Sequence, residues 1–199
     1  EDFYLNEGIS PLSSSPTSFA PSTTNQFIEG LLSESRRYWS DDGKLTLSYS
    51  FPWTTSDTAQ WVADYGDDEP KSGFGLNNTQ IAAVDRALDA WADVIDVNFV
   101  KIVETDTSVG DLRFAFTSSS PDSVAWAYYP YNWPSAGDVW INSKYFIETD
   151  WSETDWKFRL LLHEIGHALG LEHPFDDDDG DIIPEGYDVR NYTVMSYTE

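Results

Sequence analysis

An α+β domain is the fold class this sequence predicts, and three observations predict it. Alternating and helical apolar patterns follow one another as strand, helix, four strands, helix. Apolar residues are 40% of the 199 positions and aromatic ones 16%, enough for one sizeable core and too many for a disordered chain. No segment repeats itself along the chain, so a solenoid or propeller is not expected.

The elements follow in order. Residues 1–24 contain "SPLSSSPTSFAPSTT" and read as an irregular, solvated arm, which leaves 25–199 as the domain proper. A short helix is expected next, with Asn25 as N-cap and Phe27, Ile28, Leu31 and Leu32 on one face. "KLTLSYSF" (44–51) alternates Leu45, Leu47, Tyr49 and Phe51 with polar residues, the pattern of a strand buried on one side. Residues 52–76 form a long acidic loop. Ile81, Val84, Leu88, Trp91 and Ile95 recur at helical spacing, which predicts a helix over 79–96 capped by Asn77, Asn78 or Thr79. Strands are predicted at "VNFVKIV" (97–103), "DLRFAF" (111–116), "VAWAYY" (124–129) and "DVWIN" (138–142). A second long helix starts near Asp150 or Ser152 and runs through "DWKFRLLLHEIGHALG".

Composition removes several functions. Acidic residues outnumber basic ones 35 to 11, a formal net charge of −24, so neither nucleic acid nor an anionic membrane surface is an expected partner. There is no cysteine, which excludes disulfides, a thiol nucleophile and thiolate metal ligands. No apolar run approaches the roughly 18 residues of a membrane span. Residues 1–30 lack a basic start followed by an apolar stretch, so the chain reads as a soluble mature form, its export signal removed or lying outside it.

All three histidines lie in "HEIGHALGLEHP" (163–174). On a helix, His163 and His167 project from one face a turn apart and could hold one Zn²⁺ between them. Glu164 falls beside the metal, where a base that takes a proton from the attacking water must stand. A catalytic zinc takes three protein ligands, and Gly170 can end the helix in the left-handed conformation that returns His173 to the site. A bare His-Glu-x-x-His arises by chance, and a lone histidine on an apolar face is usually a satisfied core residue. Here the glutamate, the turn glycine and every histidine of the chain coincide.

The extended motif His163-Glu164-x-x-His167-x-x-Gly170-x-x-His173 resembles that of the metzincin (zincin-like) zinc endopeptidases, and Met195 in "TVMSY" (193–197) stands where their methionine turn follows. Within them the chain is similar to the serralysins, secreted bacterial proteases, through Pro174, "MSY", "LTLSYSF", "ALDAWADVIDVNFV", "AWAYYP" and "AGDVWIN". The resemblance covers about residues 25–199. It implies a metzincin catalytic domain: a twisted, mostly parallel sheet packed on two long helices, with the zinc helix at the floor of a cleft and the Met195 turn beneath the metal. It implies Tyr197 as a phenol that ligates zinc at rest and then donates to the oxyanion.

On this reading the chain is a secreted, extracellular bacterial endopeptidase, expected to be monomeric, acting on proteins or peptides and open to a proteinaceous inhibitor. Serralysins continue into a calcium-binding β-roll of glycine-rich repeats, whereas this sequence ends at Glu199 without one, as a processed or truncated catalytic domain would. The rival readings are a non-catalytic zinc-binding module and an adhesive extracellular protein that keeps the fold. "AWAYY" (125–129) is a candidate for a sheet edge that holds extended peptide through Ala125, Trp126 and Ala127, with an ordinary aromatic strand facing a core as the alternative. "DDDDGD" (176–181) is open between a Ca²⁺ site and a solvated charge run. The sequons at 77–79 and 191–193 read as incidental, the first as a helix cap.

Overall fold

A computed structural model of the chain describes residues 10–11, 17–18, 24–33, 36–37, 45–54, 59, 61, 65, 68–119, 122–131, 133–145, 151–176, 182–184 and 186–199. Most of the N-terminal arm and residues 177–181 of the acidic run therefore lie outside the described residues. Within the arm, Ser10–Pro11 pairs in parallel with Ser108–Val109, and Thr17–Ser18 pairs with Arg36–Arg37.

The first helix, α1 (Gln26–Glu29), is one turn long, and its Asn25 cap accepts the Phe27 N–H. Leu31 and Leu32 fall beyond it and serve the sheetlike bracing described below. Strand β1 (Leu45–Ser50) follows, then α2 (Asn78–Ala92), β2 (Val97–Lys101), β3 (Leu112–Thr117), β4 (Ala125–Ala127), β5 (Asp138–Asn142) and α3 (Trp156–Leu169). Asn77 caps α2 in a full capping box with Gln80, choosing among the three candidate caps. The helix stops at Ala92, short of 96, because Asp93 to Ile95 turn the chain into β2. The start of α3 is at Trp156, later than Asp150 or Ser152. Asp155 is the cap because its carboxylate accepts the Lys157 N–H at 2.8 Å, while the Ser152 hydroxyl is occupied with Thr154.

The five strands form one sheet in the order β2-β1-β3-β5-β4, parallel throughout except for β4, which runs antiparallel to β5 at one edge. Both long helices cover one face. Leu45, Leu47, Tyr49, Leu112, Phe114, Phe116, Val139 and Ile141 meet Val84 and Leu88 of α2 and Leu161 and Ile165 of α3 in the main core. This is the mostly parallel sheet on two long helices that the resemblance implies.

The opposite face departs from the sequence expectation. A strand buried on one side would leave Ser48 and Ser50 in water, yet both are buried. Strand β1 is an interior strand of a parallel sheet, and such sheets are covered on both faces. The cover here is polar and aromatic. Asp111 accepts from the Ser48 hydroxyl and backbone N–H, and Ser50 donates to Glu104. Arg113 forks onto Glu104 at 2.8 and 2.9 Å and lies 3.7 Å from the Trp61 ring centre. Tyr65 donates to Asp138 and accepts from Trp140. Burial pushes Asp138 up to about 7 against the opposing pull of Arg113 and the Tyr65 hydroxyl.

Candidate metal centre

Helix α3 ends where the site begins. Gly170 takes φ 103°, the left-handed conformation that favours glycine, and the chain reverses with the Leu171 N–H on Gly166 O. The reversal is braced from the N-terminal side: Ser33 N–H donates to Gly170 O and Glu172 N–H to Leu31 O. His173 is thereby brought back beside His163 and His167.

Each histidine is oriented through its outer nitrogen. His163 Nδ1 meets Val194 O at 2.9 Å, His167 Nδ1 meets Leu171 O at 2.7 Å, and His173 Nδ1 meets the Asp176 carboxylate at 2.8 Å. Those acceptors place the proton on Nδ1, so the Nε2 lone pairs face inward. Nε2 of His167 stands 3.1 Å from that of His163 and 3.2 Å from that of His173. Three acceptors this close have no proton to share between them, and a cation is what reconciles them. Bonds of 2.0–2.1 Å to a tetrahedral zinc separate ligand nitrogens by about 3.3–3.4 Å, close to the spacing seen. Burial holds His167 down at about 3 and also lowers His163, which keeps both neutral as ligands must be. The three residues fit zinc.

Around them, Glu164 is buried beside His163, and burial alone pushes its carboxyl up to about 8. The Tyr197 hydroxyl reaches to 2.7 Å from His173 Nε2, and its ring stacks near His163. Met195 is fully buried under α3. It comes so close that a Cβ on Gly166 would meet its Sδ at 2.5 Å. Ser196 donates to Asp188 and accepts from the Thr198 N–H, which tightens the turn that carries Tyr197. Phe175 lies parallel to the His173 ring at 5.0 Å and lines an apolar cavity of about 400 Å³ with Pro174, Ile183 and Val189.

The sequence-predicted residues divide in space. His163, Glu164, His167, His173 and Tyr197 come together. Ala125 and Ala127 lie on the edge strand, half-buried, while Trp126 turns to the opposite face of the sheet and donates to Glu69. Two further residues at the site, Gly166 and Phe175, carry no sequence-based expectation, while Asp176 and Tyr129, whose ring meets His167 edge-on at 5.5 Å, enter the sequence reading only as members of "DDDDGD" and "AWAYY". A glycine inside a strong helix was the available signal for Gly166. The Asp176 carboxylate meets His173 Nδ1 and also accepts the His173 N–H.

The family described as Matrixin matches residues 68–194. A serralysin from Photorhabdus laumondii is 33% identical over 172 residues, 79% of this chain and 34% of that protein. Metalloprotease AprA from Pseudomonas entomophila is 32% identical over 176 residues, 80% of this chain and 34% of that protein. Serralysin G from Dickeya chrysanthemi is 34% identical over 165 residues, 76% and 33% respectively. The chain thus spans about a third of the length of these relatives.

Proposed function

The chain belongs to the matrixin family of metzincins as a serralysin-like catalytic domain, and on that footing we propose that it is a secreted bacterial zinc endopeptidase of extracellular proteins and peptides. The observation that carries the reading is the convergence of three inward Nε2 atoms, each held by an acceptor on its outer nitrogen. His163, His167 and His173 would hold the zinc. Zinc, when bound, supplies an activated water at neutral pH and polarises the scissile carbonyl.

The chain's own residues divide the remaining work. Glu164 takes the proton of the attacking water and returns it to the leaving amine; its burial shields that transfer from bulk solvent. Tyr197, exposed and with its hydroxyl 2.7 Å from His173 Nε2, donates that hydroxyl to the developing oxyanion. The open edge of β4, residues Ala125, Trp126 and Ala127, pairs with extended substrate, the two alanines allowing a backbone to come close. Residues 1–24 remain an arm to a domain spanning 25–199, and the domain acts as a monomer without nucleic acid or membrane partners. A proteinaceous inhibitor would act at the same three histidines, and the acidic run 176–181 would supply carboxylates to Ca²⁺.

Metal analysis of dialysed protein with a peptide-hydrolysis assay tests the reading. One zinc per chain is expected, lost with activity on treatment with a strong chelator. Glu164→Gln should keep zinc and fold while losing roughly 10²–10⁴-fold in kcat. A zinc-replete chain without hydrolysis would leave the non-catalytic module as the better description.

A further inference from the structure

We propose that Glu69 is a positioning residue for peptide substrate: from the far face of the sheet, its buried carboxylate fixes edge strand β4 relative to the three histidines. The inference rests on reading β4 as the strand that holds substrate.

Strand β4 has little of its own to fix it. It is three residues long and, among the described residues, pairs with β5 alone, through Ala125–Ile141, Trp126–Trp140 and Ala127–Val139. Its two faces differ. Ala127 packs on the main core, and Tyr129 beyond it lies against His167. Trp126 and Tyr128 point the other way, as residues two apart on an extended segment do. There Glu69 Oε1 accepts from the Tyr128 hydroxyl at 2.6 Å and from Trp126 Nε1 at 3.1 Å. One oxygen atom therefore grips both downward side chains of the segment.

That grip is mounted on a rigid part of the sheet. The Thr117 hydroxyl donates to Glu69 O at 3.0 Å, and Phe74 and Phe116 exchange backbone hydrogen bonds at 3.0 and 2.9 Å. The short 3-10 turn Glu69–Ser72 is thus tied to β3, an interior strand, and Glu69 carries that position across to the edge. A buried carboxylate is a costly way to satisfy a hydroxyl and an indole, and apolar packing would serve stability as well. Holding two donors of one strand at one point is what the carboxylate does that a hydrocarbon cannot.

The test compares two peptides on the zinc-loaded chain. One has about ten residues, more than enough to run the whole three-residue edge at ~3.3 Å per residue; the other reaches no more than about one residue either side of the scissile bond, too short to pair along it. Glu69→Leu should raise KM for the long peptide about tenfold, the scale of losing a charge-assisted hydrogen bond, with kcat within about threefold and the short peptide unaffected. Glu69→Gln, which keeps an acceptor oxygen, should recover most of the loss. Equal losses on both peptides, or a loss that follows zinc content, would overturn the proposal in favour of a merely structural role. If Glu69→Leu does not fold, Tyr128→Phe decides: a selective loss of about threefold or more for the long peptide supports the grip, and unchanged values overturn it. Affinity of the fluorescently labelled long peptide for the Glu164→Gln chain separates this from the peptidase reading. Binding that weakens on adding Glu69→Leu supports the grip even where the wild-type chain cleaves nothing.

Discussion

The sheet presents one chemistry to its helices and another to the loop on its far side. Facing the helices, Leu47, Phe114 and Ile141 sit with Val84 and Ile165 in an aliphatic and aromatic core. Facing away, the same strands present Ser48, Ser50, Arg113, Asp138 and Trp140, closed over by Trp61, Tyr65, Glu69 and Glu104. The first face carries the helix that holds the histidines. The second carries the charges that locate the strand beside them. Non-directional packing suffices to hold α3 against the sheet, whereas a three-residue edge strand needs directed bonds. The difference teaches that a short edge strand depends on directed bonds where a long helix can rely on packing.

Breaking the polar face at its centre has the largest expected effect on stability. Arg113→Met removes a fork that is 5% exposed and leaves Glu104, 9% exposed, without its cation. A loss of about 3–5 kcal/mol in unfolding free energy is expected by denaturant titration. Replacing Glu104 as well, by Leu, should return a large part of it. The sign of the pH effect also follows. Asp138, already pushed up to about 7 by burial, loses the pull of Arg113 and rises further. A group whose folded value lies above its unfolded one takes up a proton on folding, so its penalty grows as pH rises from about 4 through the folded value. The gap between variant and wild type should therefore narrow towards pH 5 and widen towards pH 8. A gap independent of pH would separate Asp138 from Arg113.

The two faces were not equally legible in the sequence. Periodicity is a record of apolar burial, so α2, α3 and the five strands could be placed from Leu, Val, Ile and Phe spacing, with errors of a few residues at the ends. The metal centre was legible for the same kind of reason: His163, His167, Gly170 and His173 are spaced by helix geometry and its termination. The polar face was not. Ser48 and Ser50 look solvent-facing until Asp111 and Glu104 are known to lie over them, and those partners are 63 and 54 residues away in sequence. Glu69 looked like one acid in an acidic loop, because its value comes from Trp126 and Tyr128 on a distant strand. Asp176 was hidden in the same way inside a charge run. Directed bonds between distant residues leave no period.

Tyr197→Phe sharpens the contrast from the other side. The hydroxyl is near the histidines and the ring is more than half exposed, so removing one oxygen should change the melting temperature little. Zinc content should also stay, since three histidines remain. The expected loss is about ten to several hundredfold in kcat with KM changed far less, the pattern of a bond made mainly in the transition state. A loss confined to KM would make Tyr197 a substrate-binding residue and leave the oxyanion to another donor.

The smallest effect expected is at the one position where the helix face and the chemistry meet. Gly166 lies inside α3, where alanine would ordinarily gain up to ~1 kcal/mol in helix propensity. Against that, a Cβ there would stand 2.5 Å from Met195 Sδ, with Met195 Cε at 3.3 Å and Trp91 at 3.4 Å. Met195 is fully buried, so it has no open space to swing into, and overpacking of this kind costs about 1–3 kcal/mol. Gly166→Ala should therefore lose roughly 1 kcal/mol net, about 2–4 °C in melting temperature for a domain of this size. Its activity should fall further than that small loss implies. Val194, which orients His163, and Tyr197 flank Met195 on the same turn, so a displaced methionine disturbs both. A variant as stable as wild type and equally active would mean that the turn beneath α3 can move without consequence, and that its close packing serves neither face.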